Sequence, residues 1–110
     1  MSIEKITIQD LVEKIDKKEE FILVDCRELS EWNQGSIEGA YFYPLSKLKE
    51  THQLEMEHSK DQQIIFQCRS GKRSMAACMI LKEKGYTNLS NLEGGIMAWM
   101  QEGHDIITHE

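Results

Sequence analysis

Two short segments, Phe21-Ile22-Leu23-Val24 and Ile64-Ile65-Phe66, are apolar at consecutive positions rather than alternate ones. A strand with one face in water alternates apolar and polar residues. A strand that is apolar throughout must be covered on both faces, as parallel strands are when they lie between helix layers. The rest of the chain supplies such helices. Ile6-Thr7-Ile8 is a short strand candidate, and Thr7 with Asp10 three residues on resembles a capping box for a helix through Leu11, Val12 and Ile15. After a charged turn at 17–20 the first strong strand occupies 21–24. A short helix is expected over 30–34, closed by Gly35. A strand at 40–43 follows, ended by Pro44, and then a helix capped by Ser46 that includes Leu48. Residues 51–62 are polar and partly loop. The second strong strand spans 63–67. The best helix pattern spans 74–84, with alanines inside, lysines near its end and Gly85 as a stop. A last strand at 88–92 leads through Gly94-Gly95 into a closing helix, 96–101, ended by Gly103. This alternation predicts an α/β fold over a mostly parallel sheet, with ligands bound beyond the carboxyl ends of the strands.

The size, 110 residues with 40% hydrophobic content, predicts one small domain over 1–110. A formal net charge of −6 argues against a nucleic-acid surface and against a polybasic membrane patch. No apolar run approaches the roughly 20 residues that span a bilayer. The charged, amphipathic start does not read as a secretory signal. Cys26, Cys68 and Cys78 form an odd set without a CxxC pair, fitting neither a disulfide framework nor a zinc site. Free thiols and a cytoplasmic location are the expectation.

The chemistry concentrates in Cys68-Arg69-Ser70-Gly71-Lys72-Arg73-Ser74. This segment joins the second strong strand to the best helix, so its amides can form an anion-binding nest at a helix N-terminus. A thiolate at the mouth of such a cradle would be stabilised and exposed. Helix N-termini and cations lower a free thiol from about 8.5 to about 3.5–7.5. Gly71 permits the positive φ that a tight ring of amides needs. Arg69, Lys72 and Arg73 would attract an anion, although Arg73 can equally brace the loop against Asp25 or Glu31. Against this stand blander readings: a buried core cysteine, an anion site without chemistry, or a solvated run of charges. A phosphatase is the sharper rival. Cysteine-dependent phosphatases place five residues between cysteine and arginine, whereas four stand between Cys68 and Arg73, and Ser74 occupies the arginine position. The tighter ring should fit a phosphoryl group poorly and a single sulfur on Cys68 well.

These residues resemble the rhodanese-like (sulfurtransferase) family over about 6–103. Val24-Asp25-Cys26-Arg27, Glu31-Trp32 and Gly35-Ser36-Ile37-Glu38-Gly39-Ala40 are similar to its first signature. Cys68 to Ser74, continuing into Ala76-Ala77, is similar to its active loop. Leu92-Glu93-Gly94-Gly95-Ile96 with Ala98-Trp99 is similar to its C-terminal signature. The resemblance implies an open parallel sheet of about five strands with helices on both faces. It implies a thiosulfate-type sulfurtransferase with Cys68 as the catalytic residue and Arg69, Ser70, Gly71, Lys72, Arg73 and Ser74 around the substrate. It calls for no metal and no organic cofactor. The partners would be a small anionic sulfur donor and a thiol, protein or other thiophilic acceptor. A protein-to-protein persulfide relay and a non-catalytic anion-binding module are the alternatives. Two positions depart from the family, which often has histidine at Ser36 and valine at Cys26. Cys26 reads either as a valine-sized core filler or as a thiol able to resolve a Cys68 persulfide. Cys78 reads as core. Asp25, Arg27 and Glu31 are expected to form a supporting ion-pair network, and Trp32 and Trp99 to pack as core or lid aromatics. Met75, Met79, Met97 and Met100 are expected to pack, and His52, His58, His104 and His109 to lie in polar surroundings without a catalytic or metal role.

Overall fold

The computed structural model describes residues 3–109. Ten elements alternate among the described residues: β1 (Glu4–Ile6), α1 (Ile8–Asp16), β2 (Ile22–Asp25), α2 (Leu29–Gln34), β3 (Tyr41–Phe42), α3 (Leu45–Thr51), β4 (Ile64–Gln67), α4 (Lys72–Glu83), β5 (Leu89–Leu92) and α5 (Gly95–Gln101). The five strands form one parallel sheet in the order β1-β5-β4-β2-β3. Every residue of β2, β4 and β5 is buried.

Side chains alternate between sheet faces, and the two cores divide accordingly. Ile22, Val24, Ile64, Phe66 and Leu89 pack with Leu45 and Leu48 of α3 and Ala77, Cys78 and Leu81 of α4. Leu23, Ile65 and Leu92 face the other way, onto Ile8 and Leu11 of α1 and Ile96 and Trp99 of α5. Helices therefore cover both faces of an open parallel sheet. The stripe that α4 buries, Ser74, Ala77, Cys78 and Leu81, has helical spacing and begins with a serine at the loop end.

Several expected boundaries move for identifiable reasons. The first strand lies at Glu4–Ile6 rather than 6–8. Thr7 is the cap of α1, its hydroxyl accepting from Asp10 N–H and its own N–H donating to the Asp10 carboxylate, so Ile8 is already helical. The third helix is capped by Pro44, not by Ser46; Ser46 sits inside the helix and donates to Glu28. The fourth helix begins at Lys72 instead of 74, so Lys72 and Arg73 belong to its first turn. Met79 and Met100 are exposed at 58% and 44%, so neither packs as expected. Three of the histidines lie against aromatic rings rather than in wholly polar surroundings. His109 stacks on Trp32 and bonds Ser36 Oγ at 2.6 Å, His104 lies against Trp99, and His58 bonds the Tyr86 hydroxyl at 2.6 Å. The segment after Gly103 turns back and pairs Ile107 with Ser36. That places the imidazole of His109 beside the serine that stands at the expected histidine position.

Candidate active site

The carboxyl ends of β2 and β4 lie side by side, with Asp25 the registered partner of Gln67. The β4–α4 connection is short because the helix starts at Lys72 behind Gly71, whose φ of 110° suits glycine. Cys68 follows β4 directly. Its Sγ accepts a hydrogen bond from Gly71 N–H at 3.0 Å and lies 3.3 Å from Ser74 Oγ.

The amides face the sulfur because the carbonyls are held elsewhere. Cys68 O accepts from Ile96 N–H at 2.9 Å and from Gln67 Nε2 at 2.8 Å, and Arg69 O accepts from Met97 N–H at 3.1 Å. The α5 N-terminus thus takes the loop's carbonyls, leaving its amides for Sγ. This contact requires a glycine at 95: a Cβ there would overlap the carbonyl oxygens of Cys68 and Arg69, and its φ is +57°. Asn91 ties down the next turn. Its Nδ2 donates to Gly71 O at 3.1 Å and its Oδ1 accepts from the Ser74 hydroxyl. Because Gly71 O can only accept, the Asn91 amide orientation follows, and Ser74 is placed between Asn91 and the sulfur. A hydroxyl can rotate between these partners. It can take the proton of a neutral thiol in a hydrogen bond, or donate to a thiolate.

The balance at Cys68 has opposing causes. Burial is the largest single influence and favours the neutral thiol. The Ser74 hydroxyl and the amides of Ser74, Gly71 and Ser70 together outweigh it, and the thiol lies below its ordinary value. The same comparison corrects one expectation. Cys68 is only 1% exposed, so its sulfur lies at the floor of the cradle and not at the mouth. A cleft of about 540 Å³ adjoins the loop, lined by Ser70, Gly71, Lys72, Asn91 and Gly94 among others, but Cys68 does not line it.

The six loop residues separate in position. Arg69, Ser70 and Lys72 are exposed, and Gly71 lies partly buried at the turn. Arg73 is committed to Glu31 through two bonds of 2.6 and 2.8 Å. Ser74 is fully buried. The expected ion-pair network exists as two separate pairs. Arg27 grips Asp25 in the interior with bonds of 2.8–3.1 Å and also donates to Gly35 O at 2.7 Å. Arg73 and Glu31 link α4 to α2 nearer the surface. The Arg73 fork, ahead of burial and the remaining influences, holds the Glu31 carboxyl well down, at about 2.

Gln67, Asn91 and Gly95, which the sequence places only in a strand or a turn, help build this site. A polar residue within an otherwise buried strand was the available signal for Asn91, and two glycines directly after a strand were the signal for Gly95.

Comparison with known proteins agrees with the fold. The model of the rhodanese-like domain matches residues 7–102. A Bacillus subtilis protein provisionally named as sulfurtransferase YtwF is 41% identical over 103 residues, covering 93% of this chain and 95% of that one. A protein of Allochromatium vinosum named sulfurtransferase is 35% identical over 109 residues, covering 98% of each chain. The crystal structure of a rhodanese-related protein from Thermoplasma volcanium superposes with a TM-score of 0.79 at 32% identity, covering 94% of this chain and 97% of that one.

Proposed function

This chain belongs to the rhodanese-like domain family, and from that premise we propose that it transfers sulfane sulfur through a persulfide on Cys68. The observation that carries the reading is the closure of the loop on Sγ: Gly71 N–H donates at 3.0 Å, the Ser74 hydroxyl lies 3.3 Å away, and these groups with the Ser70 and Ser74 amides hold the thiol below its ordinary value.

In the first half-reaction the Cys68 thiolate attacks the outer sulfur of thiosulfate. The sulfur–sulfur bond of the donor breaks, sulfite leaves with the bonding pair, and Cys68 becomes the persulfide. In the second, a thiophilic acceptor attacks the outer sulfur and restores the thiolate; with cyanide the product is thiocyanate. This is two-step covalent catalysis. Donors preset toward the sulfur stabilise thiolate and persulfide without reorganising. The exposed Arg69 and Lys72 are placed to attract the anionic donor. Arg73, engaged by Glu31, positions the loop. The 1% exposure of Cys68 requires the loop or its cover to move aside as the donor approaches.

A carrier role, with a protein donor and a protein acceptor in place of thiosulfate and cyanide, uses the same loop chemistry. It is favoured by the resemblance to a Bacillus subtilis protein provisionally named as sulfur carrier YrkF, 28% identical over 98 residues. The test is intact-mass analysis after thiosulfate. One sulfur should be added to the wild type and none to Cys68→Ser. Absence of uptake with thiosulfate, together with steady turnover of an aryl phosphate, would replace sulfur transfer by phosphatase chemistry.

A further inference from the structure

Cys26 and Cys68 are neighbours across the sheet. Asp25 and Gln67 are registered partners in the parallel β2–β4 pair, and the ladder continues with Cys26 N–H donating to Gln67 O at 2.9 Å. The next position on each strand is a cysteine. Side chains two residues apart share a face. Val24 and Phe66 are registered partners in one core cluster, and Cys26 and Cys68, each two residues further on, belong to that same cluster. Neighbouring strands lie about 4.7–4.9 Å apart. This falls within the Cα separation of about 4.4–6.8 Å that a disulfide spans. Both residues are sealed from water, at 0% and 1% exposure, so they stay together in the interior. Cys78 belongs to the same cluster but lies on α4, with its sulfur 3.5 Å from Ser90 O.

We propose that Cys26 is a resolving cysteine, which gives the Cys68 persulfide a second exit: release of its outer sulfur as sulfide, with closure of a Cys26–Cys68 disulfide. This inference rests on the sulfur-transfer reading above. The step balances without an external oxidant. Cys26 Sγ, giving up its proton, attacks Cys68 Sγ. The bond from Cys68 Sγ to the outer sulfur breaks, and that sulfur departs with the bonding pair as hydrosulfide, which takes up the proton. One thiol and one persulfide become one disulfide and one hydrogen sulfide. The outer sulfur is reduced to the sulfide level, and the two cysteine sulfurs take the disulfide state.

The environment of Cys26 sets when this exit operates. Burial foremost, then the neighbouring Cys68 and Asp25, raise its thiol above the ordinary value. It is therefore protonated when the persulfide forms, and a thiolate acceptor that reaches the site reacts first. Closure is then the fate of a persulfide left without an acceptor. The product is an idle disulfide that a small dithiol reopens.

The experiment loads the reduced full chain with thiosulfate under argon, removes the excess, and follows intact mass and released sulfide with no acceptor present. The wild type should lose its added sulfur as an equimolar amount of sulfide. It should end as a disulfide, with peptides containing Cys26 and Cys68 joined on non-reducing digestion. Cys26→Val, which preserves the core volume, should load equally, keep its persulfide and release no sulfide. Cys26→Ser should behave like Cys26→Val, and Cys78→Ala like the wild type. Equal persulfide persistence in wild type and Cys26→Val would overturn this inference and leave sulfur transfer standing. Loading absent from all variants would remove the sulfur-transfer reading and this one with it. A diamide-oxidised wild type with no Cys26–Cys68 link would overturn the pairing independently of any sulfur donor.

Discussion

Cys68 and Cys26 directly follow adjacent strands, face one core and are equally hidden from solvent, yet their thiols are shifted in opposite directions. Burial alone favours the neutral thiol at both. The difference is in the donors. The chain after Cys68 curls so that Gly71 N–H and the Ser74 hydroxyl reach its sulfur. The chain after Cys26 is drawn away, its backbone pinned by the Arg27–Asp25 pair and by the Leu45 N–H bond to Cys26 O. One strand end therefore surrounds its thiol with groups that favour the thiolate, and its neighbour keeps its thiol protonated.

Gly95→Ala should disturb this contrast most. The added Cβ has no room beside the carbonyl oxygens of Cys68 and Arg69, and the obstacle is backbone. The carbonyls must turn, and the amides with them. A stability loss of about 2–3 kcal/mol is expected from denaturant unfolding, as for other strained glycine replacements. The Cys68 thiol should return toward its ordinary range in a thiolate absorbance titration. Retention of the low titration would show that the α5 N-terminus does not orient the loop.

Ser74→Ala is the narrower version. Loss of a charge-assisted bond worth about 1.5–3 kcal/mol should raise the thiol toward its ordinary range. The sign follows from the chemistry. A lowered thiol keeps uptake active as the pH falls below the free-thiol range, so the variant's rate profile should move to higher pH with its plateau intact. An unmoved profile would assign the lowering to the amides alone.

Glu31→Gln probes the brace between the two strand ends. The folded Glu31 carboxyl at about 2 lies below its ordinary 4.5. Its stabilisation is therefore complete above about pH 4.5 and disappears as the pH falls toward 2. Because the pair is partly exposed, the difference from wild type at neutral pH should be about 1 kcal/mol or less, narrowing through that acid window. Thiosulfate KM should barely change, whereas Arg69→Ala should raise it. A large KM effect from Glu31→Gln would return Arg73 to the substrate. Thr7→Ala is the quietest test: loss of the α1 cap should reduce stability by about 1 kcal/mol and leave the Cys68 titration untouched.

Much of this architecture is legible from residue order. The apolar runs ending at Val24 and Phe66 dictate buried parallel strands, and the segment from Cys68 to Ser74 reads as a tight loop leading into a helix. What escaped reading depended on contacts between distant segments. Nothing local to Gly95 says that its missing side chain admits the carbonyls of Cys68 and Arg69. Asn91 acts only because β5 lies beside β4 and presents it to Ser74 and Gly71. The depth of Cys68 is not legible locally: a glycine and three cations suggest an open rim, while β2 and α3, which share its core cluster, are remote in sequence. Arg73 was readable only as a choice between carboxylates, and the approach of α2 to α4 decides for Glu31.

The central claim is that donors directed at one buried thiol make it the sulfur carrier. Peptide-resolved mass analysis of the thiosulfate-treated chain, alkylated at once, tests this most directly. The account predicts a single added sulfur on the peptide holding Cys68 and none on those holding Cys26 or Cys78. Sulfur on either of the other two peptides, or on none, would contradict it.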